Sequence, residues 1–280
     1  MKYLVDRGIP ARRACALVGL AKSSYYYEPI PRMPRPVDQE VRRVVLEISE
    51  GRPSFGYRRM TAMVKRALAR PVNEKAVRRV MRLERLTLDP CVQRRGRIPK
   101  QRGLQLSIAP DMAYQMDMKY VICGRDGYGY LQSVVDTCTG EWLGYVFSKR
   151  PGSKEACEAL DRVVMNRFPK TCLAPGTRLR LDNGTQYTAM RFHEHAKNLG
   201  FVIEHIQVQT PEDNGMIESF HAGLARDYLD YEDFQTFEEA DRFLEKVFID
   251  YNEVKPKKRL GWRTPKEYYQ EMTQNASKTL

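Results

Sequence analysis

The chain of 280 residues carries 47 Lys and Arg against 35 Asp and Glu, a formal net charge of +12, and is 42% hydrophobic. That apolar content is enough for one large domain or two modest ones, and no stretch approaches the roughly 18 apolar residues of a membrane span. The opening Met1-Lys-Tyr-Leu-Val is cut short by Asp6, Arg7 and Gly8 and has no signal-peptide pattern, so the expectation is a cytoplasmic protein that does not associate with membranes. The charge is uneven. Residues 1–110 hold 25 of the 47 Lys and Arg but only 9 of the 35 Asp and Glu, leaving a near-neutral remainder. A basic front half suits a polyanion partner, with the chemistry placed behind it. The six cysteines form no Cys-x-x-Cys pair, which argues against a zinc site and fits a reducing compartment. The four histidines, 193, 195, 205 and 221, read as surface or boundary residues. His193 and His195, two apart in a helical run, point to different sides and do not share a metal.

Residues 10–27 read as helix, turn, helix. Ala14, Leu17 and Val18 make an apolar face, Gly19 is a natural C-cap, and Leu20 packs under the turn. Two readings stay open for this short unit: a helix-turn-helix whose second helix enters the major groove, or a packing element. Glu28-Pro-Ile-Pro-Arg-Met-Pro-Arg-Pro36 breaks helices on both sides and marks a boundary. Helices are expected over 37–49, 57–69 and 73–86, the last capped by Asn73. In that helix Ala76, Val77, Val80, Met81 and Leu83 form the stripe, and Lys75, Arg78, Arg79, Arg82 and Arg85 lie opposite. Such a cationic face binds phosphates by releasing counterions, without reading sequence. Arg94, Arg95 and Arg97 open a basic run, Arg94 to Arg102, with no apolar period; it reads as a linker that lies along DNA.

Beyond residue 109 the pattern changes. Strands are expected over 114–122, 130–136 and 141–148, joined by short turns into an antiparallel meander. A helix capped by Ser153, a strand ending at Asp182, a helix over 190–199 and a strand over 201–206 follow. A further helix carries Glu218, with Thr210 as N-cap and Pro211 first. A helix over 236–252 and a tail around Trp262 end the chain; Lys255, Lys257, Lys258 and Arg259 there suit either DNA or packing. Pattern alone gives a mixed α/β domain.

Three carboxylates organise this part. Asp117 lies within the strand Tyr114-Gln-Met-Asp-Met-Lys-Tyr-Val-Ile122. Asp182 ends its strand at Asn183-Gly184, beside a turn, and Glu218 sits early in its helix. Asp-Asn-Gly-Thr-Gln-Tyr (182–187) and Pro-Glu-Asp-Asn-Gly-Met-Ile-Glu-Ser-Phe (211–220), with 35 residues between Asp182 and Glu218, resemble the second and third acidic motifs of the DDE transposases and retroviral integrases. The nearer resemblance is to the OrfB-type transposases of bacterial insertion sequences. Phe-Gly-Tyr-Arg-Arg-Met (55–60), Val-Asn-Glu-Lys-Ala-Val-Arg-Arg-Val-Met (72–81) and the tail Tyr251-Asn252…Lys255-Pro256…Leu260…Thr264-Pro-Lys-Glu-Tyr268 carry it further.

The resemblance implies an α/β fold with a ribonuclease H-like core, a five-stranded mixed sheet with flanking helices, preceded by an all-α helix-turn-helix region. It implies domains at 1–35 (helix-turn-helix and linker), 36–90 (basic DNA-binding helices), 91–108 (basic linker), 109–270 (catalytic core) and 271–280 (tail). It implies metal-dependent DNA strand cleavage and transfer, with Asp117, Asp182 and Glu218 holding two Mg²⁺ or Mn²⁺ ions about 3.5–4 Å apart. Its partners would be the element's terminal inverted repeats and target DNA, further copies of the chain, and an upstream OrfA-type subunit or frameshift fusion. It would work beside the nucleoid of a bacterium. Relatives often carry Lys or Arg seven residues after the catalytic Glu; here that position is Ala225, with Arg226 beside it as an imperfect substitute. The alternatives are a DNA-binding protein that has lost catalysis, and a nuclease that cuts without joining.

Overall fold

The computed structural model describes residues 2–29, 36–88, 107–206 and 214–279. Two compact units divide the chain, Met1–Val37 and Asp38–Leu280.

The first unit holds α1 (Lys2–Asp6), α2 (Ala11–Leu17) and α3 (Lys22–Tyr25). Gly19 ends α2 as expected: at φ +65° it turns the chain left-handed, and Leu20 N–H donates back to the Cys15 carbonyl at 3.0 Å. The apolar face departs from expectation. Ala14 and Cys15 are the buried pair, whereas Leu17, Val18 and Leu20 are exposed. A helix of two turns offers too little surface to cover more than its own midline.

The second unit begins with α4 (Gln39–Gly51), α5 (Tyr57–Leu68) and α6 (Glu74–Leu83). Asp38 caps α4 through Glu40 and Val41 N–H, and Asn73 caps α6 through Lys75 N–H. Val41, Val44 and Val45 meet Met60, Val64, Val77, Val80 and Met81 in the buried seam; Leu83, expected in the stripe, is exposed.

The sheet has the order β3-β2-β1-β4-β5. Its strands are β1 (Ala113–Ile122), β2 (Tyr128–Asp136), β3 (Trp142–Ser148), β4 (Arg178–Leu181) and β5 (Val202–His205). The first three run antiparallel, and β4 and β5 run parallel to β1. Alternation along β1 separates two cores. Tyr114 and Met116 pack with Leu179, Leu181 and the helices α7 (Ser153–Arg167) and α9 (Met190–Asn198). Val121 belongs to the opposite face, under α10 (Gly215–Asp227) and α11 (Phe237–Ile249). The short α8 (Thr185–Thr188) links β4 to α9, and α12 (Pro265–Thr279) ends the chain. The expected boundary between residues 270 and 271 falls within this helix. Gly152, not Ser153, precedes α7, and no side chain caps it. Thr210 and Pro211, the expected start of the Glu218 helix, lie outside the described residues.

Two positions are set by backbone packing. Gly200 turns α9 into β5 at φ +84°, where a Cβ would come within 2.2 Å of the Ala174 carbonyl oxygen. Asn252 lies against the edge strand: its Oδ1 accepts from Trp142 N–H at 2.9 Å and its Nδ2 donates to Trp142 O at 2.8 Å. Three arginines tie the front helices to the C-terminal ones. Arg52 pairs with Asp250, Arg59 reaches Asp227 at 3.1 Å, and Arg66 reaches Glu267 at 2.7 Å. Among the described residues no helix is long and apolar enough to cross a membrane.

Candidate active site

Register brings two of the three acids together. In the parallel pair, Tyr114 is level with Leu179 and Gln115 with Arg180. Continued two residues, that register carries Asp117, on the face that α10 covers, toward Asp182, the residue after β4 ends, and the charges of both carboxylates reach Tyr187. Each is oriented locally: Asp117 Oδ1 accepts from Met118 N–H at 2.8 Å and Asp182 Oδ1 from Gly184 N–H at 2.9 Å. The second contact makes the Asp-Asn-Gly turn hold its own acid in place.

Beneath them, on the other face, Tyr187 is fully buried and donates to Gln132 Oε1 at 2.6 Å. Burial, then the negative charge of Asp117 and Asp182, pushes the Tyr187 hydroxyl well above its ordinary range. It stays a neutral donor. Among the described residues no Lys or Arg pairs with Asp117, Asp182 or Glu218, whereas Asp111, Asp227 and Asp250 each hold an arginine. Adjacent carboxylates without a cationic side chain suit an external hard cation with oxygen ligands.

Helix α10 docks at the same place through two contacts. Ile217 N–H donates to Gln115 Oε1 at 2.9 Å, two residues before Asp117. His221 Nδ1 lies 3.4 Å from Asp117 Oδ2, with both side chains largely buried. Glu218 comes from the turn between these anchors. It is exposed, and among the described residues no three His, Cys, Asp or Glu side chains are gathered within one metal ion's reach. Asp117 and Asp182 thus lie on neighbouring chain segments and Glu218 on the helix docked against β1, without the three being gathered as one metal-binding group among the described residues.

His221 was read from the sequence as a surface or boundary residue; it is buried against Asp117 instead. Its spacing of three from Glu218, one helical turn, was the available signal. The other histidines separate as expected. His195 Nε2 meets Asp161 at 2.8 Å, while His193 stacks on His205 with their Nε2 atoms 3.1 Å apart.

The expected DNA-facing residues divide. Lys75, Arg78 and Arg82 are exposed on α6, Arg79 is half-buried, and Arg94, Arg95 and Arg97 lie outside the described residues. Arg226 is exposed but folds onto Asp227 at 2.8 Å. In the tail, packing wins for three of the four basic residues. Lys255 is buried against Asp227 at 2.7 Å, Lys257 donates to the Gly140 carbonyl at 2.8 Å, and Arg259 donates to the Cys138 carbonyl at 2.7 Å. Lys257 and Arg259 thus serve the turn between β2 and β3, and Lys255 serves α10.

Residues 109–211 and 199–265 match the integrase core domain, and residues 36–96 match an HTH-like domain. The insertion element IS407 31.7 kDa protein of Burkholderia multivorans is 28% identical over 261 residues, covering 93% of this chain and 90% of that protein. Transposase InsD of insertion element IS2 from Escherichia coli is 28% identical over 233 residues, covering 80% and 76%. A chain of the simian T-cell lymphotropic virus intasome, solved with the PP2A regulatory subunit B56 gamma, shares the fold at a TM-score of 0.51 and 16% identity, over 80% of this chain and 74% of that one. With its five-stranded mixed sheet and the helices ahead of it, the chain belongs to the integrase-core transposases of insertion elements, within the retroviral integrase superfamily.

Proposed function

We propose that this transposase cuts DNA at the ends of its element and joins the freed 3′-hydroxyl to a target phosphodiester, with Asp117, Asp182 and Glu218 as its divalent-metal ligands. The observation that supports the proposal is that β1, which carries Asp117, runs parallel to and beside β4, which ends at Leu181 just before Asp182, with no Lys or Arg paired to either acid among the described residues. The donor set fits a hard cation: carboxylate oxygens, two of them preoriented by backbone N–H groups. When bound, a pair of such ions activates the attacking oxygen and stabilises the leaving one in an in-line displacement at phosphorus. The chain's own contribution is positioning. Gln115 pins the first turn of α10 to β1, His221 orients the Asp117 carboxylate, and Glu218 extends from the turn between them. DNA would be held by the basic face of α6 and, in a multimer, across copies of the chain or an upstream-frame partner.

A second reading, a DNA-binding derivative without catalysis, draws on the three acids not being gathered as one metal-binding group among the described residues. One assay decides between them. Strand transfer is measured on duplexes bearing the element's inverted repeats, with Mg²⁺ or Mn²⁺, for the natural chain and Asp182→Asn. Joining by the natural chain that is lost in Asp182→Asn, with DNA binding retained, supports the catalytic reading. Absence of joining by both, with binding intact, supports the silent one, and equal joining by both removes Asp182 from the mechanism.

A further inference from the structure

Away from the acids, a cavity of about 340 Å³ opens between the start of α5 and the end of α10. Its lining includes Ser54, Arg58, Arg59, Arg226, Lys258 and Trp262. Four cationic side chains therefore converge on it. The carboxylate beneath them, Asp227, is already saturated: Arg59, Arg226 and Lys255 all pair with it, leaving positive charge in excess. Arg58 lies over the Tyr57 ring at 5.4 Å, and its ion contact is a loose, exposed one with Glu74 at 3.8 Å. Among the described residues Lys258 has no acidic partner.

The backbone adds to this field. Helix α5 has 12 residues, and its N-cap is Gly56, which supplies no side-chain acceptor. Gly56, Tyr57, Arg58 and Arg59, the N-cap and first turn, all line the cavity. The unpaired N–H groups and the positive end of the dipole thus face the same space as the guanidinium groups, an arrangement that binds phosphate. A second, independent feature points to a ligand. Ser54, which lines the cavity, is only 7% exposed, and its hydroxyl is buried with no hydrogen-bond partner among the described residues. Such an orphan costs stability unless a ligand satisfies it.

We infer that this cleft is a binding site for a phosphodiester group of the DNA strand, held by Ser54, Arg58, Arg226, Lys258 and the N-terminus of α5. Arg226 lies eight residues beyond Glu218 on α10, about 12 Å along the helix, or roughly three to four base steps of duplex. The cleft grips the backbone a few nucleotides from the acids and compensates for Ala225. The choice of DNA over other phosphate compounds rests on the function proposed above.

The test is DNA binding by the full chain in chelator, without catalysis, by fluorescence anisotropy of a labelled duplex across a salt series. Arg58→Gln with Lys258→Gln lowers the slope of log affinity against log salt by about 0.9, the share of one phosphate. Ser54→Ala weakens binding about tenfold while leaving the thermal midpoint unchanged or higher, because an orphaned hydroxyl is removed. An unchanged slope and affinity in a normally folded double variant overturns the site. So does a Ser54→Ala variant that melts early but binds DNA normally. Inorganic phosphate is the second probe. If it stabilises the natural chain through Ser54 and Arg58 while duplex affinity ignores both, the cleft takes free phosphate and the DNA assignment is overturned. Asp182→Asn should retain the full salt slope. A natural chain that fails to join DNA while the double variant still loses slope would sink the catalytic proposal and leave the cleft standing.

Discussion

His221 Nδ1 stands 3.4 Å from Asp117 Oδ2, and its other ring nitrogen is buried with no partner among the described residues. A helix that carries one acid thus also supplies the group that orients another. His221→Ala should slow strand transfer about tenfold, close to 1.4 kcal/mol of barrier, and raise the Mg²⁺ concentration needed for half-maximal rate, with DNA affinity unchanged. His221→Gln, which can still donate to Asp117, should recover most of the rate. Equal rates in all three chains would show that the contact has no part in positioning.

The paired aspartates give a sharper expectation. Asp117→Asn and Asp182→Asn each remove a charge that no Lys or Arg among the described residues pairs with, His221 being the one group beside Asp117, so neither should unfold the protein. Each should cut joining by roughly a thousandfold, several kcal/mol. Melting curves with and without Mn²⁺ check this independently of activity. The ion should raise the midpoint of the natural chain, and the double variant should lose the effect.

Tyr187 supports the site from below. Its hydroxyl donates to Gln132 Oε1 at 2.6 Å in a fully buried position, and Gln132 Nε2 already lacks a partner. Tyr187→Phe would leave that oxygen unsatisfied as well, a cost of about 1–3 kcal/mol. Thermal unfolding should show a drop on the order of 5 °C. An unchanged midpoint would mean the hydroxyl carries no share of stability.

Asp227 sets an acid limit. Burial pushes its carboxyl upward, but hydrogen bonds and charge from Arg226, Lys255 and Arg59 outweigh that and hold it at about 2, below the ordinary 3.8. The folded value lies below the unfolded one. The stabilisation, about 2 kcal/mol, is therefore complete above pH 4 and lost as pH falls towards 2. Asp227→Asn strands Lys255 and should cost about 3–5 kcal/mol at neutral pH, while losing this part of the acid dependence. On the alkaline side, burial lowers the Lys255 ammonium to about 8 from 10.5. Between those values the unfolded chain binds the extra proton, so stability should rise with pH. Denaturant midpoints from pH 2 to 10 check both signs.

Much of this fold is legible in the chain because its signals are local. Alternating aromatic and β-branched residues mark β1, Asn73 caps its helix, and Ala156, Leu160, Val163 and Val164 face inward on α7 as their spacing requires. The acid motifs are legible as motifs, and register then makes Asp117 and Asp182 neighbours. What the pattern does not contain is anything that depends on a distant partner. Lys255 and Lys257 suit DNA and packing equally until Asp227 and the Gly140 carbonyl come to meet them. His221 becomes part of the site only when Gln115 fixes the rotation of α10. Leu17 and Val18 have helical spacing, but α2 is too short to bury them.

Arg52, Arg59 and Arg66 each leave a front helix to meet an acid of the C-terminal half. Cutting the gene at residue 109 to study the core alone would therefore do more than remove the HTH-like helices. It would take an arginine from each of three carboxylates at once, leaving Asp227 with Arg226 and Lys255 but Asp250 and Glu267 without a basic partner among the described residues, and such a fragment would report on a wounded scaffold.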